Sequence, residues 1–162
     1  MMVRANLPDW SLRGVLALLL AALGLAACAG STTDRDVGYV DAARVKLWHD
    51  EAKKAGNEEK LILIDPRPSE AYAAEHIDGA LNLTIADAQM PGSSVFAGAP
   101  GGLKSPVKLS KFKRIVVYGE DASSALPLAM AKRLLRLGYE DTVVLSGGMR
   151  AWKASGGPTT KP

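Results

Sequence analysis

Short, wholly apolar runs alternate along this chain with stretches whose apolar residues recur every three or four positions. Each pairing reads as a buried strand followed by an amphipathic helix. A short extended piece is expected at Gly38 to Val40. Asp41 can then cap a helix reaching about Ala55, because its carboxylate can accept from free N–H groups of the first turn. Ala42, Val45, Leu47, Trp48 and Ala52 give that helix its apolar face, and His49 is expected to be exposed beside Trp48. Gly56 and Asn57 end it. "KLILID", Lys60 to Asp65, is a strand with four consecutive apolar residues, broken by Pro66 and Pro68. "SEAYAAEH" follows as a short helix capped by Ser69, and "GALNLT" as a short strand. "KRIVVYG" is a further strand, leading to a helix over about Ser124 to Leu137 that tolerates Pro127 only in its first turn and stops at Gly138. "DTVVLSG" and "GMRAWKAS" close the series as strand and helix. The alternation predicts an α/β fold with a mainly parallel sheet.

The pattern fails in two places. Between Ala86 and Pro106 the chain is rich in Gly, Pro and Ser, as expected of a lid, a binding loop or a mobile insertion. At the other failure, Arg4 and Arg13 precede the apolar run "GVLALLLAALGLAA", which is too short to span a membrane but suits the core of a signal peptide. The run ends in "LAAC", Leu25 to Cys28, which resembles a bacterial lipobox. Cys28 is the only cysteine of the 162 residues. The resemblance implies that residues 1–27 are a lipoprotein signal peptide, removed so that Cys28 carries lipid, palmitate included. Ordinary cleavage near Ala29 and an uncleaved anchor are the alternatives. Ala29 after the cysteine resembles the outer-membrane sorting pattern of a cell with two membranes. Residues 28–38 then read as a flexible tether, 39–158 as the domain and 159–162 as a tail. Acylated Cys28 would leave no free thiol and no disulfide.

Charge adds little. The formal net charge is +3, and removing residues 1–27 takes away Arg4, Arg13 and Asp9, leaving 18 Lys+Arg against 16 Asp+Glu. No nucleic-acid partner is implied. Lys104, Lys108, Lys111, Lys113 and Arg114 form a basic run that is either a solvated face or a contact for anionic lipid or an acidic partner. With two histidines and no free cysteine there is no metal-site spacing, and no cofactor is expected.

Two blocks carry a family resemblance. "LIDPRPSEAYAAEHIDGALNL", Leu63 to Leu83, holds Asp65 and Arg67 at a strand end, then Glu70 and Tyr72, then His76, Ile77, Gly79, Ala80 and Asn82. "LGYEDTVVLSGGMRAWKASGGP", Leu137 to Pro158, holds a Gly-Tyr turn, a strand, the Gly147–Gly148 pair and Trp152. Together these resemble the rhodanese domain. The resemblance implies a three-layer α/β fold, with Asp65 and Arg67 bracing a sheet end, His76 packing and hydrogen-bonding, and Trp152 and Tyr139 in the core. In the family's enzymes a cysteine at the tip of the strand that reads "IVVY" here accepts sulfur or attacks phosphate.

Here the tip reads Gly119, Glu120, Asp121, Ala122, Ser123, Ser124. Counted from the strand, the cysteine position falls on Gly119; counted back from Gly138, it falls on Asp121. Neither is a thiol, and persulfide chemistry needs one. No Lys or Arg lies between Gly119 and Met130, so Glu120 and Asp121 are expected to make the loop repel anions. Ser123 and Ser124 read either as helix caps or, with the helix-start N–H groups, as a small-ligand site. The expectation is a non-catalytic envelope module that binds a protein or small ligand. A sulfurtransferase-like activity completed by a partner's thiol, and a small-ligand receptor, are the competing readings.

Overall fold

The protein is described by a computed structural model that covers residues 32–56, 60–88, 109 and 114–161. Among these, five strands pair in the order β1-β6-β5-β2-β4, where β1 is Gly38–Val40, β2 Leu61–Asp65, β4 Leu81–Asn82, β5 Arg114–Val117 and β6 Thr142–Leu145. Every pairing in this sheet is parallel. A parallel sheet needs a crossover between neighbours, and helices supply it: α1 (Ala42–Lys54) leads into β2, and α3 (Leu126–Arg136) links β5 to β6. α2 (Ser69–Ala74) and α4 (Gly148–Ala154) are shorter.

Successive strand residues point to opposite faces, so the apolar runs feed two cores. Ile62, Ile64, Ile115, Val117 and Val144 pack against Met130, Ala131 and Leu134 of α3. Leu63, Val116, Tyr118 and Leu145 pack on the other face against Val45 of α1 and Met149 and Trp152 of α4. The result is the expected helix–sheet–helix sandwich, with strands buried on both faces.

Local chemistry sets the helix ends. The Asp41 side chain accepts from the Arg44 N–H at 2.8 Å and starts α1. Gly138, at φ +88°, lets the chain leave α3. Two expected caps are corrected. Pro68, not Ser69, occupies the cap position of α2, and Ala125 precedes α3 without any side-chain cap. The apolar face of α1 is also corrected. Leu47 is 47% exposed, whereas His49 is buried at 7%, edge-on to the Trp152 ring with centroids 5.6 Å apart. Its Nε2–H donates to the Asp78 carbonyl at 3.1 Å, so one polar contact is kept inside.

Both domain margins shift outward. The packed unit begins at Thr32. Asp34–Asp36 form a turn of 3-10 helix, and Val37 is buried in the α3-side core, so the expected tether is folded from Thr32 onward. At the far end, Thr159–Thr160 form β7, antiparallel to β3 (His76–Ile77), where only a tail was expected. Cys28, most of the Ala86–Pro106 segment and the basic run Lys104 to Lys113 lie outside the described residues. Arg114 pairs with Asp141 at 3.2 Å and lies over the Trp48 ring at 4.1 Å.

Candidate functional site

Because β2, β5 and β6 run parallel, the residues that follow each of them emerge at one end of the sheet, where open α/β sheets hold their ligand sites. Three segments converge there: Asp65–Arg67 at the end of β2, Tyr118–Ser124 after β5, and Ser146–Arg150 after β6.

Arg67 forms the floor. It is 6% exposed, and the adjacent Asp65 is 0% exposed. The Arg67 Nε–H donates to both Asp65 carboxylate oxygens, at 3.0 and 3.1 Å, and Nη2 donates to Asp65 Oδ2 and to the Glu75 carbonyl, each at 2.7 Å. The Arg67 backbone N–H adds a bond to Asp65 Oδ1 at 3.0 Å. A buried charge needs this many partners, since desolvation otherwise penalises it heavily. Burial works against the guanidinium's charge, but Asp65 and then Glu120 outweigh it and hold the group firmly protonated. The Asn82 amide clamps the same corner, donating to the Asp65 and Arg67 carbonyls at 2.9 Å each.

Arg67 Nη1 points at the loop and donates to Glu120 Oε2 at 2.5 Å. Asp121 has its own support: Ser123 Oγ and the Ser123 N–H donate to its Oδ1 at 2.6 and 2.9 Å, and Arg150 Nη2 lies 3.3 Å from Oδ2. The Ser123 hydroxyl and N–H, then the Arg150 charge, hold this carboxyl below the usual carboxylate range. Both acids of the loop are therefore paired, although Arg67 is shared with Asp65, so three carboxylates face two arginines. No cation lies nearby in sequence, but Arg67 and Arg150 each reach one of the two acids through space. The two serines are also placed: Ser123 braces Asp121, and the Ser124 N–H donates to the Asp121 carbonyl at 3.3 Å.

α4 pins the loop from the far side. The N–H groups of Met149 and Arg150 donate to the carbonyls of Gly119 and Glu120, at 2.8 and 3.1 Å. This approach explains the glycine pair. A Cβ on Gly148, at φ +53°, would lie 2.3 Å from the Gly119 oxygen. Gly147, at φ +76°, turns the chain into α4. Gly119 is equally tight, because a Cβ there would stand 2.7 Å from Pro127 Cγ and 2.8 Å from Ser124 Oγ. Beneath the loop, Tyr118 is fully buried and its hydroxyl accepts from the Ile77 N–H at 3.1 Å. Burial, then the Asp65 charge, pushes that phenol up, so it stays neutral.

Other residues singled out from the sequence lie elsewhere. His76 stacks on Tyr72 with centroids 3.9 Å apart, and its Nδ1–H donates to the Tyr72 carbonyl at 2.9 Å. Trp152 is fully buried, and its indole N–H donates to the Pro158 carbonyl at 2.9 Å. Ala122 is the exposed tip of the loop. Among the described residues no group of His, Cys, Asp or Glu could hold a metal ion. Arg150 and Tyr118 were missed as site residues. The signal that could have found them is topological: parallel strands bring every post-strand segment to one edge.

A parallel-sheet sandwich with a pinned loop and paired glycines at the strand ends defines a class of α/β domains. The match that places the chain within it is to the rhodanese-like domain, over residues 49–155. The chain belongs to the rhodanese-like family. It is 32% identical over 158 residues to a Synechococcus elongatus protein named for thiosulfate sulfurtransferase activity; the match covers 91% of this chain but only 46% of that protein. It is 27% identical over 109 residues to the thiosulfate sulfurtransferase GlpE of Coxiella burnetii, covering 67% of this chain and 87% of that one. The solution structure of a rhodanese-like domain from an Anabaena protein superposes with a TM-score of 0.51 at 27% identity, covering 76% and 79% of the two chains.

Proposed function

We propose that this is a non-catalytic rhodanese-fold binding module, anchored to a bacterial envelope membrane through Cys28, whose 119–124 loop meets a protein or small ligand. The observation that carries this reading is the content of the loop. Where the family's enzymes hold a cysteine, this loop has two carboxylates, each tied to an arginine, and a side chain on its first residue, Gly119, would press on Pro127 and Ser124. A thiolate nucleophile is the group that sulfur transfer cannot do without. The arginines that could have steadied an anionic donor are already occupied by the protein's own acids. Such a site presents fixed polar groups, which suits recognition more than turnover. The apolar run ending at "LAAC" supports anchoring, with the outer membrane favoured in a cell that has two.

The test is a sulfur-transfer assay from thiosulfate to cyanide with the purified chain. No turnover is expected, and an ordinary enzymatic rate in a preparation free of other sulfurtransferases would overturn the reading. Fatty-acid labelling that disappears in Cys28→Ser checks the anchor. A second reading is favoured by the sulfurtransferase names of the relatives: a partner's thiol, delivered to the loop, completes the site. Activity that arises only on mixing with a thiol-bearing envelope protein would support that reading over the first.

A further inference from the structure

We infer that, in the anchored form, the end of the domain where the chain enters rests on anionic phospholipid headgroups, leaving the 119–124 loop facing the aqueous compartment. This rests on the Cys28 anchoring reading and adds an orientation to it.

Tether length is the first argument. The folded unit starts at Thr32, where Arg136 Nη2 donates to the Thr32 carbonyl at 3.2 Å, Lys132 pairs with Asp34, and Val37 is buried. Cys28 is four residues away, so even a fully extended connection spans no more than about 14 Å. A cysteine whose acyl chains are in the bilayer sits at headgroup level. Thr32 therefore stays within that distance of the surface.

Topology says which end this is. α3 follows β5 and returns to β6, and those strands run parallel. Its C-terminal half, with Lys132 and Arg136, must lie at the end of the sheet opposite the loop. The 11 residues of α3 span roughly 16 Å. An inverted domain, loop down, would hold Thr32 at least that far above the surface, beyond the reach of the tether.

Charge selects among the orientations the tether still permits. The entry end carries Arg35, Lys54, Lys60, Arg114, Lys132 and Arg136, set against Asp34, Asp36, Glu51, Glu140 and Asp141. Topology places them together: they lie in the entry segment, near the C-termini of α1 and α3, or at the starts of β2, β5 and β6. The loop end instead sets Arg67 and Arg150 against Asp65, Glu120 and Asp121, so it has no surplus of basic charge. A surface of anionic headgroups favours the end with the basic surplus, by about fivefold in partition for each basic residue not offset by an acid, and the entry end has six basic residues against five acids. The loop is then turned outward, toward a soluble partner.

The full lipidated chain, reconstituted in vesicles of phosphatidylethanolamine and phosphatidylglycerol, tests this. With Cys28 acylated, Ala122→Cys and Glu140→Cys each provide one reactive thiol, at opposite ends. Reaction with a bulky maleimide polymer should be about fivefold or more slower at position 140 in vesicles than in detergent, and unchanged at position 122. Arg35→Gln with Arg136→Gln should restore the rate at position 140. If either first variant fails to fold, Lys54→Cys and Ser123→Cys repeat the comparison. Equal rates at both ends, or slower reaction at position 122, would overturn the orientation. The intact mass separates the two claims. A protein without diacylglyceryl on Cys28 defeats the anchoring reading itself, whereas a lipidated protein with equal rates leaves anchoring standing.

Discussion

Replacing Arg67 with methionine removes the guanidinium from the floor of the site and leaves the Asp65 carboxylate, 0% exposed, with its bond from the residue-67 backbone N–H but without the three side-chain contacts from Nε and Nη2. Breaking one side of a buried pair in this way costs about 3–5 kcal/mol, because the surviving charge has lost its partner and cannot recover water. For a domain of this size that corresponds to a fall in Tm of roughly 10–20 °C. The partly exposed end of the network behaves differently. Glu120, with its side chain 60% exposed, shares only Nη1, so Glu120→Gln should cost less than about 1 kcal/mol. Urea and thermal melts of both variants, followed by circular dichroism, provide the comparison. Asp65→Asn combined with Arg67→Met should recover a substantial part of the loss, because no buried charge then remains; the double-mutant cycle measures the coupling. An Arg67→Met protein within about 1 kcal/mol of the unmutated one would refute the argument, since it would mean that the pair does not hold the floor together.

Restoring a cysteine should depend on the position chosen. Gly119→Cys forces a side chain against Pro127 and Ser124 and should cost about 1–3 kcal/mol by overpacking, whereas Asp121→Cys fits but gives up the Ser123 and Arg150 contacts; both should remain nearly inactive toward thiosulfate, with melts separating misfolding from missing chemistry. Gly148→Ala should destabilise by more than about 1 kcal/mol, since the added methyl meets the Gly119 carbonyl at a backbone angle that disfavours side chains; an unchanged denaturation midpoint would show that the loop is not pinned there. Lys153 and then Thr159 hold the Glu75 carboxyl below the ordinary value of 4.5. With the folded pKa depressed, that stabilisation is fully present above the unfolded value and is lost as pH falls through the folded one. Glu75→Gln should therefore lower stability near neutral pH and weaken its decline in acid, as read from melts across the acid range.

The sequence by itself determined the layered fold, because short apolar runs alternating with amphipathic helices are best buried as a parallel sheet covered by helices. Asp41 and Gly138 were legible for a local reason, since a cap or a positive φ is a property of a few adjacent residues, whereas the Gly147–Gly148 pair stood out through the family resemblance and its tightness against Gly119 is tertiary. His49 was misread because the side of α1 that faces Trp152 depends on where α4 lands, about a hundred positions further along the chain. The margins at Thr32 and Thr160 were missed because a 3-10 turn and a two-residue strand are held by distant partners, not by a periodic pattern of their own. The loop's electrostatics lay furthest from the sequence. Glu120 and Asp121 look like uncompensated charges in a segment without a single Lys or Arg, and only the convergence of three strand ends brings Arg67 and Arg150 to them. Local conformation is set by short-range sterics and hydrogen bonds, which residue order displays directly. Charge balance in a site is set by groups within a few ångströms in space, and tertiary structure alone decides which those are.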